Sequence, residues 1–325
     1  MRLTAAEKQE IIWMVERSDL GVNRTLRQLG VPQSTFYKWY KAYTNNGILG
    51  LEYKRFGSRR QWNTIPQEEK NLVVSVALEF TELSPRELSC KLSDERNVFI
   101  SESSVYRILK ANGLITSPAH ILLAAGNEFS KKTLFVHEMW QTDFTYFKIL
   151  GWGWYYLSTI LDDYSRYIVH WELCNTMKAE NVQSTVQSAI RKTGLKKGQR
   201  PILLSDNGSC YVSGELKDYL SAINIKSIHG RVAHPQTQGK IERYHRSMKN
   251  VVKLDNYFHP EELKEAIGGF VDYYNNQRYH ESLDNVTPAD VYYGRKDEIL
   301  KHRERIKMIT LKRRRVDYLK QKLVS

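Results

Sequence analysis

The stretch that most constrains this chain is Ile202–Lys249. It opens with the apolar run Ile202-Leu203-Leu204 and stops abruptly at Ser205-Asp206-Asn207-Gly208. A short apolar run ending in a carboxylate and a turn predicts a buried strand with a functional residue at its C-terminal end. The stretch closes with Pro235-Gln236-Thr237-Gln238-Gly239-Lys240-Ile241-Glu242-Arg243. A helical pattern runs from Thr237 to about Lys253, with Glu242 near its start. A third carboxylate, Asp143, lies upstream in the strand-like run Trp140–Phe147. Two Asp and one Glu, drawn from two strands and a helix, form a donor set suited to a pair of divalent ions in phosphoryl transfer. The gap of 35 residues between Asp206 and Glu242 decides little by itself. With 36 acidic residues in 325, about four pairs at any chosen separation arise by chance.

The surrounding residues decide more. They are Trp140-Gln141-Thr142-Asp143, Ile160-Leu161-Asp162-Asp163-Tyr164-Ser165-Arg166, Ser205-Asp206-Asn207-Gly208 and the Gly239-to-Glu242 helix start. With them go Tyr274-Asn275-Asn276-Gln277-Arg278-Tyr279-His280-Glu281-Ser282-Leu283 and Val286-Thr287-Pro288, so that the set spans Trp140–Gly294. On these pieces the chain resembles DDE transposases of the retroviral-integrase type. The resemblance implies an α/β RNase H-like catalytic core over residues 138–294, a mixed five-stranded sheet flanked by helices. It implies Asp143, Asp206 and Glu242 as catalytic residues and metal ligands, with Asp143 bridging two Mg²⁺ ions. Three carboxylates suit Mg²⁺, which keeps several waters, and Mn²⁺ is an expected substitute. It further implies attack on a phosphodiester by water or a DNA 3′-hydroxyl. The implied partner is double-stranded DNA, both element ends and target, held by a homo-oligomer on paired ends at the bacterial nucleoid.

Asp162 and Asp163 also follow an apolar strand and are rival ligands; capping of the turn with Ser165 and Arg166 is the favoured reading. Asn207 and Gly208 are expected to shape their turn. His229, His234 and His245 read as hydrogen-bonding or DNA-contacting residues rather than ligands.

Charge points the same way. The chain has 49 Lys and Arg against 36 Asp and Glu, net +13, with a pI of about 9.4. That balance favours a polyanionic partner, most simply nucleic acid, although charge alone also suits an unrelated basic protein. Cys90, Cys174 and Cys210 are scattered, with no disulfide framework or zinc spacing, which fits a reducing cytoplasm. No apolar run approaches a membrane span and no signal-peptide pattern opens the sequence, so no membrane partner is expected.

Ahead of the core, Thr4-Ala5-Ala6-Glu7 is a capping-box signature opening a helix with Ile11, Ile12, Met14 and Val15 on its apolar face. Asn23–Leu29, the turn Gly30-Val31-Pro32 and a helix from Ser34 complete an all-α helix-turn-helix over residues 1–46. Phe36, Trp39 and Tyr40 are its expected core; Gln33, Ser34, Thr35, Lys38 and Lys41 are its candidate DNA contacts. Residues 47–64 read as a basic linker, with Arg55, Arg59 and Arg60 as phosphate candidates. A second helix-turn-helix is expected over residues 65–116. Its helices are Glu68–Phe80, one opened by Ser84-Pro85-Arg86-Glu87, and Glu102–Asn112, capped by Ser101 and stopped at Gly113. Ser103, Ser104, Arg107 and Lys110 are its DNA candidates. Residues 117–137 are read as a linker whose apolar stretch Ile121–Ala125 has no account.

Within the core Lys240 is a further DNA candidate. Arg246 and Lys249 share the helix face of Glu242, four and seven residues on. A solvated basic face is the plain alternative for both. Residues 295–325 form a basic tail with twelve Lys/Arg against four Asp/Glu, net +8; DNA, a second subunit and solvent stay open as its surroundings. Two other functions stay open as well: a non-enzymatic helix-turn-helix regulator with an inactive core, and a nuclease on RNA–DNA hybrids. The complete three-acid set argues against the first, and tandem helix-turn-helix modules, which address B-form grooves, against the second.

Overall fold

The computed structural model describes residues 3–52, 61–115, 133–149, 151–230, 238–253 and 257–324. The chain divides into two compact units, Met1–Thr64 and Ile65–Ser325.

In the first unit the Thr4 hydroxyl accepts from the Glu7 amide, and the Glu7 carboxylate accepts from the Thr4 amide at 2.6 Å. This capping box starts α1 (Ala5–Glu16), followed by α2 (Val22–Gln28) and α3 (Gln33–Asn46). Gly30 takes a left-handed φ of +65° in the turn before α3, a conformation that costs glycine least. Ile12, Val15, Leu26, Phe36 and Leu51 form the core, with Trp39 and Tyr43 packed against it. Two expected core residues are corrected: Met14 and Tyr40 are exposed. The buried stripe of α1 runs Lys8, Ile12, Val15, and Met14 lies about 100° around the helix from Val15. Lys8 is buried because its ammonium donates to the Leu51 carbonyl at 2.9 Å.

The second unit begins with α4 (Gln67–Glu79), α5 (Pro85–Glu95) and α6 (Glu102–Ala111) around Val73, Val76, Leu88, Leu92, Ile100, Val105 and Leu109. Ser84 and Glu87 close the expected capping box. Ser101 precedes α6 but its hydroxyl turns to the Ser104 hydroxyl at 3.0 Å, so the expected side-chain cap is not made.

The sheet follows: β1 (Met139–Ile149), β2 (Gly153–Asp162), β3 (Ile168–Cys174), β4 (Ile202–Ser205) and β5 (Ser227–His229), in the order β3-β2-β1-β4-β5. β1, β2 and β3 pair antiparallel, while β1–β4 and β4–β5 are parallel. This is the mixed five-stranded RNase H-like sheet. α7 (Ala179–Thr193) and α8 (Gly214–Ala222) cover one face, over Trp140, Ile160, Val169 and Leu203. α9 (Gly239–Val252) and α10 (Pro260–Asn276) cover the other, over Phe147, Leu157, Leu161 and Ile168. Burial on both faces explains why the strands read as apolar runs rather than clean alternation.

α11 (Pro288–Tyr292) leads into α12 (Lys296–Val324). The basic segment at the end of the chain is therefore one helix, and several of its cations are paired within the unit. Arg303 donates to Asp94 of α5 at 2.7 and 2.6 Å, and Tyr279 donates to the same carboxylate at 3.0 Å. Buried Arg314 and half-exposed Arg313 both pair with buried Glu69 of α4, and Arg314 also donates to the Phe99 carbonyl at 2.9 Å. No described helix is long and apolar enough to cross a membrane.

Candidate active site

β1 and β4 run side by side as far as Gln141 and Leu204. Carried two residues further, that register sets Asp143 beside Asp206. The field of both carboxylates is felt by the same neighbours. Burial first, and then Asp143 and Asp206, hold the Tyr211 phenol well above its ordinary range. Burial, Asp206 and Asp143 likewise push the Cys210 thiol up. Past β4 the chain turns sharply: an Asp206 oxygen accepts from the Gly208 amide at 2.9 Å, and the Asn207 amide nitrogen donates to the Gly230 carbonyl at 2.8 Å. A Cβ on Gly208 would stand 3.0 Å from Asp206 Oδ1, a tight contact that the carboxylate would have to shift to relieve. His229 braces the same turn, with Nδ1 3.0 Å from the Ser205 hydroxyl and 3.2 Å from the Asp206 carbonyl.

α9 docks its N-terminus into the fork where β1 and β4 part. Gln238 donates to the Thr142 and Leu204 carbonyls at 3.3 and 3.4 Å. The Ile241 amide, one of the helix-start donors that no turn of helix satisfies, donates to Gln141 Oε1 at 3.1 Å. One turn on, buried His245 sits with Nδ1 3.2 Å from Asp143 Oδ2 and Nε2 3.3 Å from the Thr159 hydroxyl. Further along, Lys249 Nζ lies 4.5 Å from the Tyr146 ring centroid. Burial and then Lys253 lower its pKa, and Asp143 opposes them. Glu242, between Ile241 and His245, is exposed.

Asp143 and Asp206 thus follow the fork on neighbouring strands and act on the same two neighbours, Tyr211 and Cys210, while Glu242 is exposed on the helix docked there. Among the described residues no three His, Cys, Asp or Glu side chains stand close enough to hold an ion. The donor chemistry nonetheless fits Mg²⁺: all three groups are hard oxygen donors, and no ion pair with Lys or Arg occupies Asp206 or Glu242 among the described residues. Asp162 and Asp163 are occupied instead. Asp162 accepts from the Ser165 amide and hydroxyl at 2.9 and 2.6 Å and from the His137 amide at 2.8 Å. Burial raises its pKa and these bonds hold it down in part. Asp163 accepts from Gln141 Nε2 at 2.7 Å, the Thr133 hydroxyl at 2.6 Å and Lys240 Nζ at 2.7 Å. Lys240, expected on DNA, is therefore engaged within the protein.

Of the other DNA candidates, Gln33, Ser34, Lys38 and Lys41 are exposed on α3 and Thr35 is half-buried. On α6, Ser103, Arg107 and Lys110 are exposed, with Arg107 donating to the Ser103 carbonyl and the Ser104 hydroxyl. Arg246 is exposed on α9. Arg55, Arg59, Arg60, Ile121–Ala125, Leu150 and His234 lie outside the described residues. Gln141, Gln238, Thr159 and His245, which knit α9 to the fork, carry no assigned role in the sequence reading of the site beyond a general hydrogen-bonding place for His245.

The chain is similar to several known proteins. Two models of the family described as integrase core domain match residues 136–235 and 223–288. Two of the family described as homeodomain-like domain match residues 2–52 and 35–109. A putative transposase, InsK for insertion sequence element IS150 of Escherichia coli K12, is 23% identical over 260 residues, covering 79% of this chain and 88% of that protein. The transposase for transposon Tn552 of Staphylococcus aureus is 22% identical over 296 residues, covering 84% of this chain but 61% of its own length. Among solved structures, a chain of the simian T-cell lymphotropic virus intasome in complex with PP2A regulatory subunit B56 gamma aligns over 68% of this chain and 74% of its own, at 18% identity and TM-score 0.45.

Proposed function

We propose, since the chain belongs to the insertion-sequence transposases of the retroviral-integrase type, that it binds the ends of its own mobile element and cuts and joins DNA there. The observation that supports this reading is the fork: Asp143 and Asp206 each follow the paired part of β1 and β4, and the helix bearing Glu242 is hydrogen-bonded to the same place. In this reading Asp143, Asp206 and Glu242 hold two Mg²⁺ ions, which Mn²⁺ can replace. Bound there, the ions supply Lewis-acid activation and charge neutralisation for displacement at a phosphodiester.

The chain's own groups do the rest. His245, fixed by Thr159, orients one oxygen of Asp143 and leaves the other to the site. The Gly208 amide does the same for Asp206. Lys249 and Arg246 hold phosphates of the reacting DNA beside the carboxylates, and the α3 and α6 faces select the end sequence. The protein works as a multimer that holds paired ends.

The test uses duplexes carrying the DNA that flanks the gene. Asp143→Asn, Asp206→Asn and Glu242→Gln should each lower Mg²⁺-dependent nicking and strand transfer by at least about a hundredfold, the scale on which loss of a charge-stabilising group acts. End binding, measured by anisotropy, should persist. Nicking at the wild-type rate by any of the three removes that residue from the site; cutting confined to RNA–DNA hybrids replaces the transposase reading with a nuclease.

A further inference from the structure

The sheet face beneath α7 and α8 is uncovered at its far end. Tyr146 on β1 and Trp154 on β2 stand there 51% and 50% exposed. Their rings are 5.5 Å apart and nearly perpendicular, at 73°. Neither ring belongs to a core cluster. Each carries a cation: Lys249 Nζ is 4.5 Å from the Tyr146 centroid, and Lys148 Nζ is 5.7 Å from that of Trp154. Lys148 lies directly across the strand pair from Trp154, and Tyr146 across from Tyr156, so the sheet's own register fixes the group.

This cluster adjoins the candidate site. Tyr146 follows Asp143 by three residues, about 10 Å along the strand and on the opposite face, and Lys249 spans from α9 to its ring. Lys249 sits on the helix whose His245 touches Asp143. Large rings left half in water at a rigid strand pair, bracketed by ammonium groups, are the composition of single-stranded nucleic-acid sites. There a base stacks on an aromatic face while cations track the phosphates. Lysine is depleted from the cores of protein–protein interfaces, so two lysines among the rings favour a nucleic acid over a second copy of the chain.

We propose that Tyr146 and Trp154 form a stacking platform for an unpaired base at a DNA end, with Lys148 and Lys249 taking the flanking phosphates. The assignment rests on the reading of the chain as a DNA end-processing protein. A base freed by fraying has lost its stacking neighbour, and the Trp154 indole, propped on the Tyr146 edge, supplies a new one. The platform holds the separated strand close to the carboxylate pair.

The experiment uses the full chain in chelator, so that no cutting occurs, and a short duplex of scrambled sequence. The duplex is either blunt or ends in an unpaired fork carrying 2-aminopurine. Wild type should bind the fork about tenfold more tightly than the blunt duplex, within the range that one aromatic–base stack supplies, and should quench the probe. Trp154→Ala should lose both preference and quenching; Trp154→Phe should keep most of each. Equal fork preference in wild type and Trp154→Ala, or none in wild type, overturns the platform. So does a sedimentation result in which Trp154→Ala only dissociates an oligomer while the fork preference stays. A chain that binds flanking-repeat duplex no better than scrambled duplex fails the transposase reading instead, and the fork ratio is read independently of that comparison.

Discussion

At the scale of single residues, the site is held by contacts of very different sequence range. Asp206 was legible because its cause is local: an apolar run stops, and the next residues form a turn whose Gly208 amide bonds to the carboxylate. His245 was not, because its partner Asp143 lies 102 positions earlier. Lys240 looks like any exposed helix-start lysine until Asp163, 77 residues away, is folded against it. Arg246 and Lys249 share a face by helix geometry, which sequence does give. Arg246→Ala and Lys249→Ala should each lower the salt slope of DNA binding by about one and weaken binding alike across sequences. The double variant, with metal binding followed by calorimetry, is the cleaner measurement; a wild-type slope there would make the face solvated charge. His280 is a second residue with a measurable signature. Its Nε2 is buried without a partner among the described residues, and burial, then Arg278, Arg166 and Arg243, lower its pKa to about 3. The unfolded imidazole titrates near 6.5. Below that pH the unfolded chain takes up a proton that the fold refuses, so stability falls as pH falls, by about 1.4 kcal/mol per unit until about pH 3. Above that pH the residue contributes no slope. His280→Met should flatten the melting temperature between pH 6.5 and the acid limit; an unchanged slope assigns the acid sensitivity elsewhere.

At the scale of elements, short-range signals did well. The capping boxes of α1 and α5, the hairpin at Gly151–Gly153 and the strands with a carboxylate at their ends follow from patterns within a few residues. α12 did not, and the reason is physical. A run of cations reads as solvated unless its anions are known, and Glu69 sits 245 residues before Arg314. Sequence periodicity gives Glu69 no reason to be buried; only the opposing guanidinium does. Breaking such a pair leaves a buried charge uncompensated, at a cost of about 3–5 kcal/mol. Glu69→Leu, which strands buried Arg314, should therefore lower the melting temperature markedly, and Arg314→Met should lower it less, because Arg313 still pairs with Glu69. The double variant Glu69→Leu with Arg314→Met should recover most of the loss, since apolar replacement of a buried pair is close to neutral. Additive losses in the double variant would mean that the pair is not what fixes α12 to α4.

At the scale of the whole molecule, the sequence pointed to a core and two helical modules, and the compact units partition differently: Ile65–Ser325 takes the second module and the sheet together. α12 joins them through Asp94, Glu69 and the Phe99 carbonyl, alongside the direct contacts of Tyr279 with Asp94 and of Glu281 with Arg86. This has a consequence for how the chain is born. A ribosome adding roughly 5–20 residues per second delivers Glu69 some tens of seconds before Arg314. During that interval the module of α4, α5 and α6 exists without its strap, its carboxylates facing water where guanidinium groups will later lie. Nascent chains arrested before Arg314 has left the exit tunnel should be cut readily by protease between residues 65 and 115, and chains arrested after it has emerged should resist. Equal cutting on both sides of that point would mean that the module locks by itself. Without the strap, a chain made in part lacks the ion pairs that hold the α4–α6 module against α12. Pairing with α12 thus marks the point at which the module of α4, α5 and α6 is held in place.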